Sequence, residues 1–268
     1  MQKGENPMSN VTSNAALNVA KFGGTSVADH EAMLRCANII KSQPETRVVV
    51  VSASAGVTNH LVTLSQKLLS AEQQTQIIEE IRAIQYNITR HLDAENELNQ
   101  TVDEILAKLS ELAVQQNTLQ TAKTGDSILA CGEQMSSIIF AEVLRSIDVQ
   151  GLAFDVRDIM RTNSLYGKAV VDLEALATNA QQQLVPLLEN NVIVTQGFIG
   201  QDGLGNTTTL GRGGSDYSAA LIAEAIKSQG LAIWTDVVGI FTTDPRNSKK
   251  PSHVTCQWFF GTSILYTC

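Results

Sequence analysis

The feature that most constrains this chain is a set of short apolar runs, rich in β-branched residues, that carry no polar face. Arg47-Val-Val-Val-Val-Ser52 is one, and Asn191-Val-Ile-Val-Thr195 and Leu231-Ala-Ile-Trp-Thr235 read the same way. A strand apolar on both sides needs cover on both sides, which a parallel sheet between two helix layers supplies. A first core element begins near Leu17, and helical segments fall at about 27–42, 57–70, 126–147, 172–190 and 216–227. This alternation predicts an α/β fold, a three-layer αβα sandwich with a mainly parallel central sheet.

One region interrupts the alternation. Ile77, Ile81, Ile84 and Ile88, then Leu98, Val102, Ile105, Leu109 and Leu112, recur every three or four residues among Gln and Glu, which predicts a helical hairpin over about 72–118. A flank packed on the domain edge, a dimer contact and a moving lid all fit that pattern.

Composition narrows the class. A chain of 268 residues with 43% hydrophobic content can bury a core without disulfide or metal staples. Its cysteines, at 36, 131, 256 and 268, form no CxxC pair and its four histidines are scattered, so no metal site is expected. A net charge of -8 argues against a phosphate-tracking surface for nucleic acid. No uninterrupted apolar run reaches the ~20 residues of a membrane span, so the expected setting is cytoplasmic. Residues 1–14 are polar and aperiodic and read as a flexible leader.

Each inferred strand runs into a small or polar turn: Lys21-Phe-Gly-Gly-Thr-Ser26, Ser52-Ala-Ser-Ala-Gly56, Gln196-Gly197 and Thr235-Asp236. Ligands of open α/β sheets bind beyond the carboxyl ends of the strands, so these turns should face one cleft. Gly23 and Gly24 let backbone N–H groups approach an anion, and a helix opening near Ser26 would aim its positive end there. The lysine precedes the glycines, so this is not a Walker A loop. In Thr209-Leu-Gly-Arg-Gly-Gly-Ser-Asp216, three glycines surround Arg212, whose fork matches a carboxylate, and Ser215 or Asp216 is placed to cap a helix from about Tyr217. Glu133 shares a stripe with Leu129, Ser136, Phe140, Leu144 and Ile147. An ionised carboxylate there needs a cation, either a substrate ammonium or an internal salt-bridge partner, and Gly132 beside it is expected to leave room for a ligand.

Taken together these groups describe an amino acid meeting a nucleotide. Lys21 to Val27, Ser52 to Thr58, Gly132-Glu133, Phe154-Asp-Val-Arg157, Thr195 to Gly200, Thr208 to Tyr217, Trp234-Thr-Asp236 and Thr242-Thr-Asp-Pro-Arg246 form an ordered set that resembles aspartate kinase, nearest to the monofunctional, lysine-inhibited bacterial type. The resemblance implies the amino acid kinase fold and transfer of the ATP γ-phosphoryl group to the β-carboxylate of L-aspartate, the first step toward lysine, threonine and methionine. It implies that Lys21 contacts the transferring phosphates, with Gly23, Gly24, Thr25 and Ser26 beside it, and that Asp216 orients Lys21. Thr58, Glu133, Arg212 and Ser215 would line the aspartate pocket, with Glu133 on the ammonium and Arg212 on the α-carboxylate. Thr235, Asp236, Phe241 and Arg246 fall at nucleotide-site positions, with Phe241 where relatives carry Tyr. Mg²⁺ is expected to arrive with ATP, and a homo-oligomer is compatible with the complete protein. A non-catalytic aspartate- or nucleotide-binding fragment and a kinase for another amino acid, such as glutamate, are the alternatives.

The resemblance stops after Arg246. Residues 251–268 carry one of the two Trp and two of the four Cys and match none of the expected pattern. The expectation is therefore a catalytic domain over 15–250, incomplete at its C-terminal side, a divergent and partly disordered tail over 251–268, and no regulatory domains.

Overall fold

The computed structural model describes residues 17–211 and 213–234 and, as backbone strands, 240–241, 253–254, 256–259 and 262–267. The leader over 1–14 lies outside the described residues. Strands β1 (Asn18–Phe22), β2 (Thr46–Val51), β3 (Gly151–Phe154), β5 (Val192–Gln196), β8 (Gly230–Trp234), β11 (Cys256–Phe259) and β12 (Thr262–Thr267) form one sheet in the order β11-β12-β8-β1-β2-β5-β3. Every pairing in it is parallel except that of β11 with β12. A smaller sheet joins β4 (Arg161–Thr162), β6 (Ile199–Asp202) and β7 (Thr207–Thr209), and β9 (Ile240–Phe241) pairs with β10 (His253–Val254).

The two-sided strands separate two apolar layers. Ala20, Phe22, Val49, Val51 and Val194 face one core, while Val19, Val48, Val50, Ile193, Leu231 and Ile233 face the other. This period-two division covers a parallel sheet on both faces. The first layer holds α1 (His30–Ser42), α2 (Val57–Gln66) and α5 (Ala122–Arg145), and the second holds α6 (Leu173–Asn179) and α7 (Gly214–Ala225). The three-layer α/β reading of the sequence is therefore the observed fold.

The hairpin is α3 (Ala71–Thr89) and α4 (Glu95–Leu119), packed on α2 and α5. A capping box at Ser70 and Gln73 starts α3. Its buried stripe differs in phase from the sequence reading: Ile78, Ile81 and Ile88 are buried, while Ile77 and Ile84 are only partly so. In α4 the buried residues include Leu106 and Ala113, with Ile105 and Leu112 partly covered.

Helix α5 is long and apolar enough to cross a bilayer by length and composition. Its apolar run is interrupted at Asp126 and Glu133, and most of the helix is buried against α2, α4, β3 and β5, as in a core helix. The helix expected over 172–190 is regular only to Asn179 and continues as a π turn and a 3₁₀ turn to Leu187, with Pro186 at the start of the latter. Residues 256–259 and 262–267, expected in a partly disordered end, instead extend the sheet, with Ser263 opposite Gly230 and Thr267 opposite Trp234. The free edge of β8 explains this, because it offers a row of backbone donors and acceptors to a segment rich in β-formers.

Candidate active site

A cleft of about 290 Å³ opens where β1, β2 and α7 meet, and Lys21, Ser52, Thr58, Glu133, Phe198, Gly211, Gly213, Gly214, Ser215 and Asp216 line it. Lys21 is the fourth residue of β1, buried at its carboxyl end, and its Nζ lies 2.6 Å from Oδ1 of Asp216. Asp216 sits in the first turn of α7, where the helix dipole favours a carboxylate.

Helix α7 starts earlier than its sequence suggests. Gly213, at φ +77°, is the N-cap and no side chain caps the helix, so Ser215 and Asp216 are free of the capping role expected of them and face the cleft. The turn is packed tightly against β5: a Cβ on Gly197 would stand 2.8 Å from Cα of Ser215. Ser218 adds a second tie, donating its hydroxyl to the Gly214 carbonyl at 2.7 Å and accepting from the Phe198 N–H at 2.8 Å. Phe198 holds φ at +70°, an uncommon conformation for a bulky residue, so its backbone is fixed by these neighbours.

Glu133 reaches the cleft from α5 and is 6% exposed. Burial pushes its carboxyl up to about 7, opposed by the Ala53 N–H and the Lys21 charge. Ser136, one turn on, donates to the Ser52 carbonyl at 2.8 Å and fixes the β2 turn against the same helix. Gly132 does not make room for a ligand, as its sequence context suggested. A Cβ there would meet Ala53 Cβ at 2.7 Å and Leu61 Cδ1 at 2.9 Å, so the glycine lets α5 approach the β2 turn and α2.

The Gly23–Ser26 turn also differs from expectation. Gly24–Val27 is a 3₁₀ turn, and α1 begins only at His30, capped by Asp29 through the Ala32 N–H at 2.8 Å. Gly24 packs against the neighbouring turn, since a Cβ would come within 2.8 Å of the Ala53 carbonyl oxygen. Gly23, Gly24, Thr25 and Ser26 thus follow Lys21 at the end of β1 without lining the cleft itself.

Lys21, Thr58, Glu133, Ser215 and Asp216 are brought together as the sequence suggested. Ser52 and Phe198 join them, and both lie in motifs already singled out, at the ends of β2 and β5. Arg212, Thr235, Asp236 and Arg246 lie outside the described residues, and Phe241 is described only as part of β9. Among the described residues no three His, Cys, Asp or Glu side chains group as a metal site.

The sequence profile of the amino acid kinase family matches residues 16–257. The chain belongs to the amino acid kinase family. Within that family it is 47% identical, over 228 residues, to the lysine-sensitive aspartokinase 3 of Escherichia coli, a match covering 85% of this chain and 51% of that protein. It is 36% identical over 233 residues to an aspartokinase of Chlamydia trachomatis, covering 86% and 51%. The E. coli aspartokinase III structure in complex with aspartate and ADP superimposes with a TM-score of 0.84 at 45% identity, covering 89% of this chain and 53% of that one. The chain spans about half the length of the curated relatives it matches.

Proposed function

We propose that this amino acid kinase transfers the γ-phosphoryl group of ATP to the β-carboxylate of L-aspartate, giving 4-phospho-L-aspartate. The observation that carries this reading is the placement of buried Glu133 in one cleft with the Lys21–Asp216 pair. Similarity to a solved aspartokinase bound to aspartate and ADP supports it. Glu133 receives the substrate ammonium, Thr58 and Ser215 contact the substrate, and Arg212 takes the α-carboxylate. Lys21 neutralises the transferring phosphates and Asp216 orients it, while Thr235, Asp236, Phe241 and Arg246 belong to the nucleotide side.

The chemistry asks for no general base. A β-carboxylate with a pKa near ~4 is already ionised at neutral pH. What it asks for is alignment of two anions and neutralisation of their charge, which the Lys21 ammonium and the N-terminus of α7 provide. Mg²⁺ enters as part of the substrate MgATP. The setting is the cytoplasm, and the complete protein is compatible with a homo-oligomer.

Trapping the acyl phosphate as a hydroxamate, with aspartate and glutamate run separately, tests the reading. Aspartyl hydroxamate formed only with ATP is the expected product. Glutamyl hydroxamate in its place would assign a different acceptor. Because the chain spans half of its relatives, a second reading is ligand binding without turnover, and saturable aspartate or ATP binding with no hydroxamate would favour it.

A further inference from the structure

Asp126 lies two helical turns before Glu133 on α5 and is 2% exposed. Its carboxylate does not enter the cleft. Oδ2 accepts from the Gly167 N–H at 2.9 Å and from the Thr209 N–H at 2.8 Å, and Oδ1 accepts from the Thr209 hydroxyl at 2.8 Å. The Thr209 carbonyl in turn accepts from the Ala169 N–H at 2.8 Å. Thr209 is thus held at its amide, its hydroxyl and its carbonyl. It is also the last residue of β7, the root from which the glycine-rich segment runs to α7.

The two strands of chain that Asp126 gathers also pack on each other. Gly211 adopts φ +82°, and a Cβ there would come within 3.2 Å of the Gly167 carbonyl oxygen. One step on from Thr209, the Leu210 N–H donates to the Phe198 carbonyl at 2.8 Å, so the same root fixes the strained Phe198 in the cleft wall. Burial raises the Asp126 carboxyl, and these three hydrogen bonds oppose the rise. One helix therefore supplies both sides of the cleft: Glu133 directly, and the glycine-rich wall through Asp126. Seven residues of helix separate the two carboxylates by ~10.5 Å of rise, a fixed length in a rigid element.

We propose that Asp126 is a positioning residue for the amino-acid substrate: it sets the separation between Glu133 and the cleft wall formed by Gly211 and the first turn of α7 with Ser215 and Asp216, and so the fit of a ligand with an ammonium at one end and a carboxylate at the other. This rests on the functional reading above. An asparagine at this position keeps the shape and can still accept both N–H groups, but its NH₂ then faces the Thr209 hydroxyl, whose proton loses its acceptor, and all three bonds lose the carboxylate charge.

Asp202 is the natural comparator. It accepts from the Ser164 and Tyr166 hydroxyls at 3.0 and 2.9 Å and from the Leu204 and Asn206 N–H groups at 3.0 and 2.9 Å, but it closes the β6–β7 turn and does not line the cleft. The test compares Asp126→Asn, Thr209→Val and Asp202→Asn for thermal midpoint, for L-aspartate and MgATP affinity by calorimetry, and for the backbone amide shifts of Gly167 and Thr209. Asp126→Asn should move both amide signals and weaken aspartate binding ~10- to 100-fold, the scale of a sub-ångström to ångström misplacement, while MgATP affinity changes little. Thr209→Val should weaken aspartate in the same direction by less, and Asp202→Asn should lower the midpoint alone.

Parental aspartate affinity in a folded Asp126→Asn would overturn the inference. If that variant does not fold, Thr209→Val decides, and unchanged aspartate affinity there overturns it. Failure of the parent chain to bind aspartate would overturn the functional reading itself, and this inference with it.

Discussion

The Lys21 ammonium and the Asp216 carboxylate meet at 2.6 Å, joining the end of β1 to the first turn of α7 across the wall of the cleft. The pair holds a buried cation in a defined place before any ligand arrives. Lys21→Ala removes that charge while leaving both parent elements packed, so hydroxamate production should fall at least ~100-fold, the scale of losing one preorganised stabilising donor. Circular dichroism should show an unchanged fold. Near-parental turnover would remove Lys21 from the phosphate site.

Aspartate affinity should depend on pH through Glu133. With its carboxyl pushed up to about 7 in the free protein, the group is largely protonated at pH 6 and must ionise to receive an ammonium. Binding should therefore tighten as pH rises toward 7 and level off above it, and near pH 6.5 it should release protons. Calorimetry in buffers of different ionisation enthalpy measures that release. In Glu133→Gln the pH dependence should flatten. A parental affinity independent of pH from 5.5 to 8 would show that Glu133 does not titrate on binding.

The same group carries a stability consequence of opposite sense. A carboxyl whose folded pKa lies above its unfolded value binds more protons when folded, so stability falls as pH rises between about 4.5 and 7. Glu133→Gln removes this penalty. At pH 8 the variant should be more stable than the parent, by on the order of 3 kcal/mol at most for a shift of this size. Denaturant unfolding at pH 5 and pH 8 checks it: the gap should open at pH 8 and close at pH 5. A gap of equal size at both would assign the change to packing.

Gly197 tests the tight seating of α7 on β5. A methyl group there would press on the Ser215 backbone, which cannot swing aside as a side-chain tip can. Gly197→Ala should cost about 1 to 3 kcal/mol of stability, as overpacking does, and should weaken aspartate binding by displacing Ser215. Chemical unfolding and calorimetry on the same sample separate the two effects. An unchanged stability would mean that the β5–α7 contact yields at no cost.

The sheet is legible because β2 and β5 are buried on both faces and leave continuous apolar runs in the sequence, while β8, buried at Leu231 and Ile233 and half-buried between them, is just as apolar in composition. Strand β3, Gly151–Phe154, is not legible, since it is four residues at an edge with only Gly151 fully buried. The Thr207–Thr209 strand is polar by composition yet wholly buried, because its hydroxyls find partners in Thr162 and Asp126 that no local pattern announces. In the hairpin the helical period was clear, but its phase was not, as α3 packs against both α2 and α4. The cleft residues Lys21, Thr58, Glu133, Ser215 and Asp216 could be read from motifs at strand ends. Phe198 lies in the Thr195–Gly200 motif, but its place in the cleft wall rests on a backbone angle, held through Ser218 and Leu210, that the motif does not announce. Gly132 was misread for a related reason: a glycine beside a functional residue looks the same in sequence whether it admits a ligand or a neighbouring helix.

The central claim is that Glu133 receives the ammonium of an amino acid inside this cleft. Titration of L-aspartate by calorimetry at pH 8, parent against Glu133→Gln, tests it most directly. The account predicts saturable binding by the parent and at least ~30-fold weaker binding by the variant, the loss expected when one partner of a buried charge pair is removed. Equal affinity in the two proteins, with both folded, would contradict it.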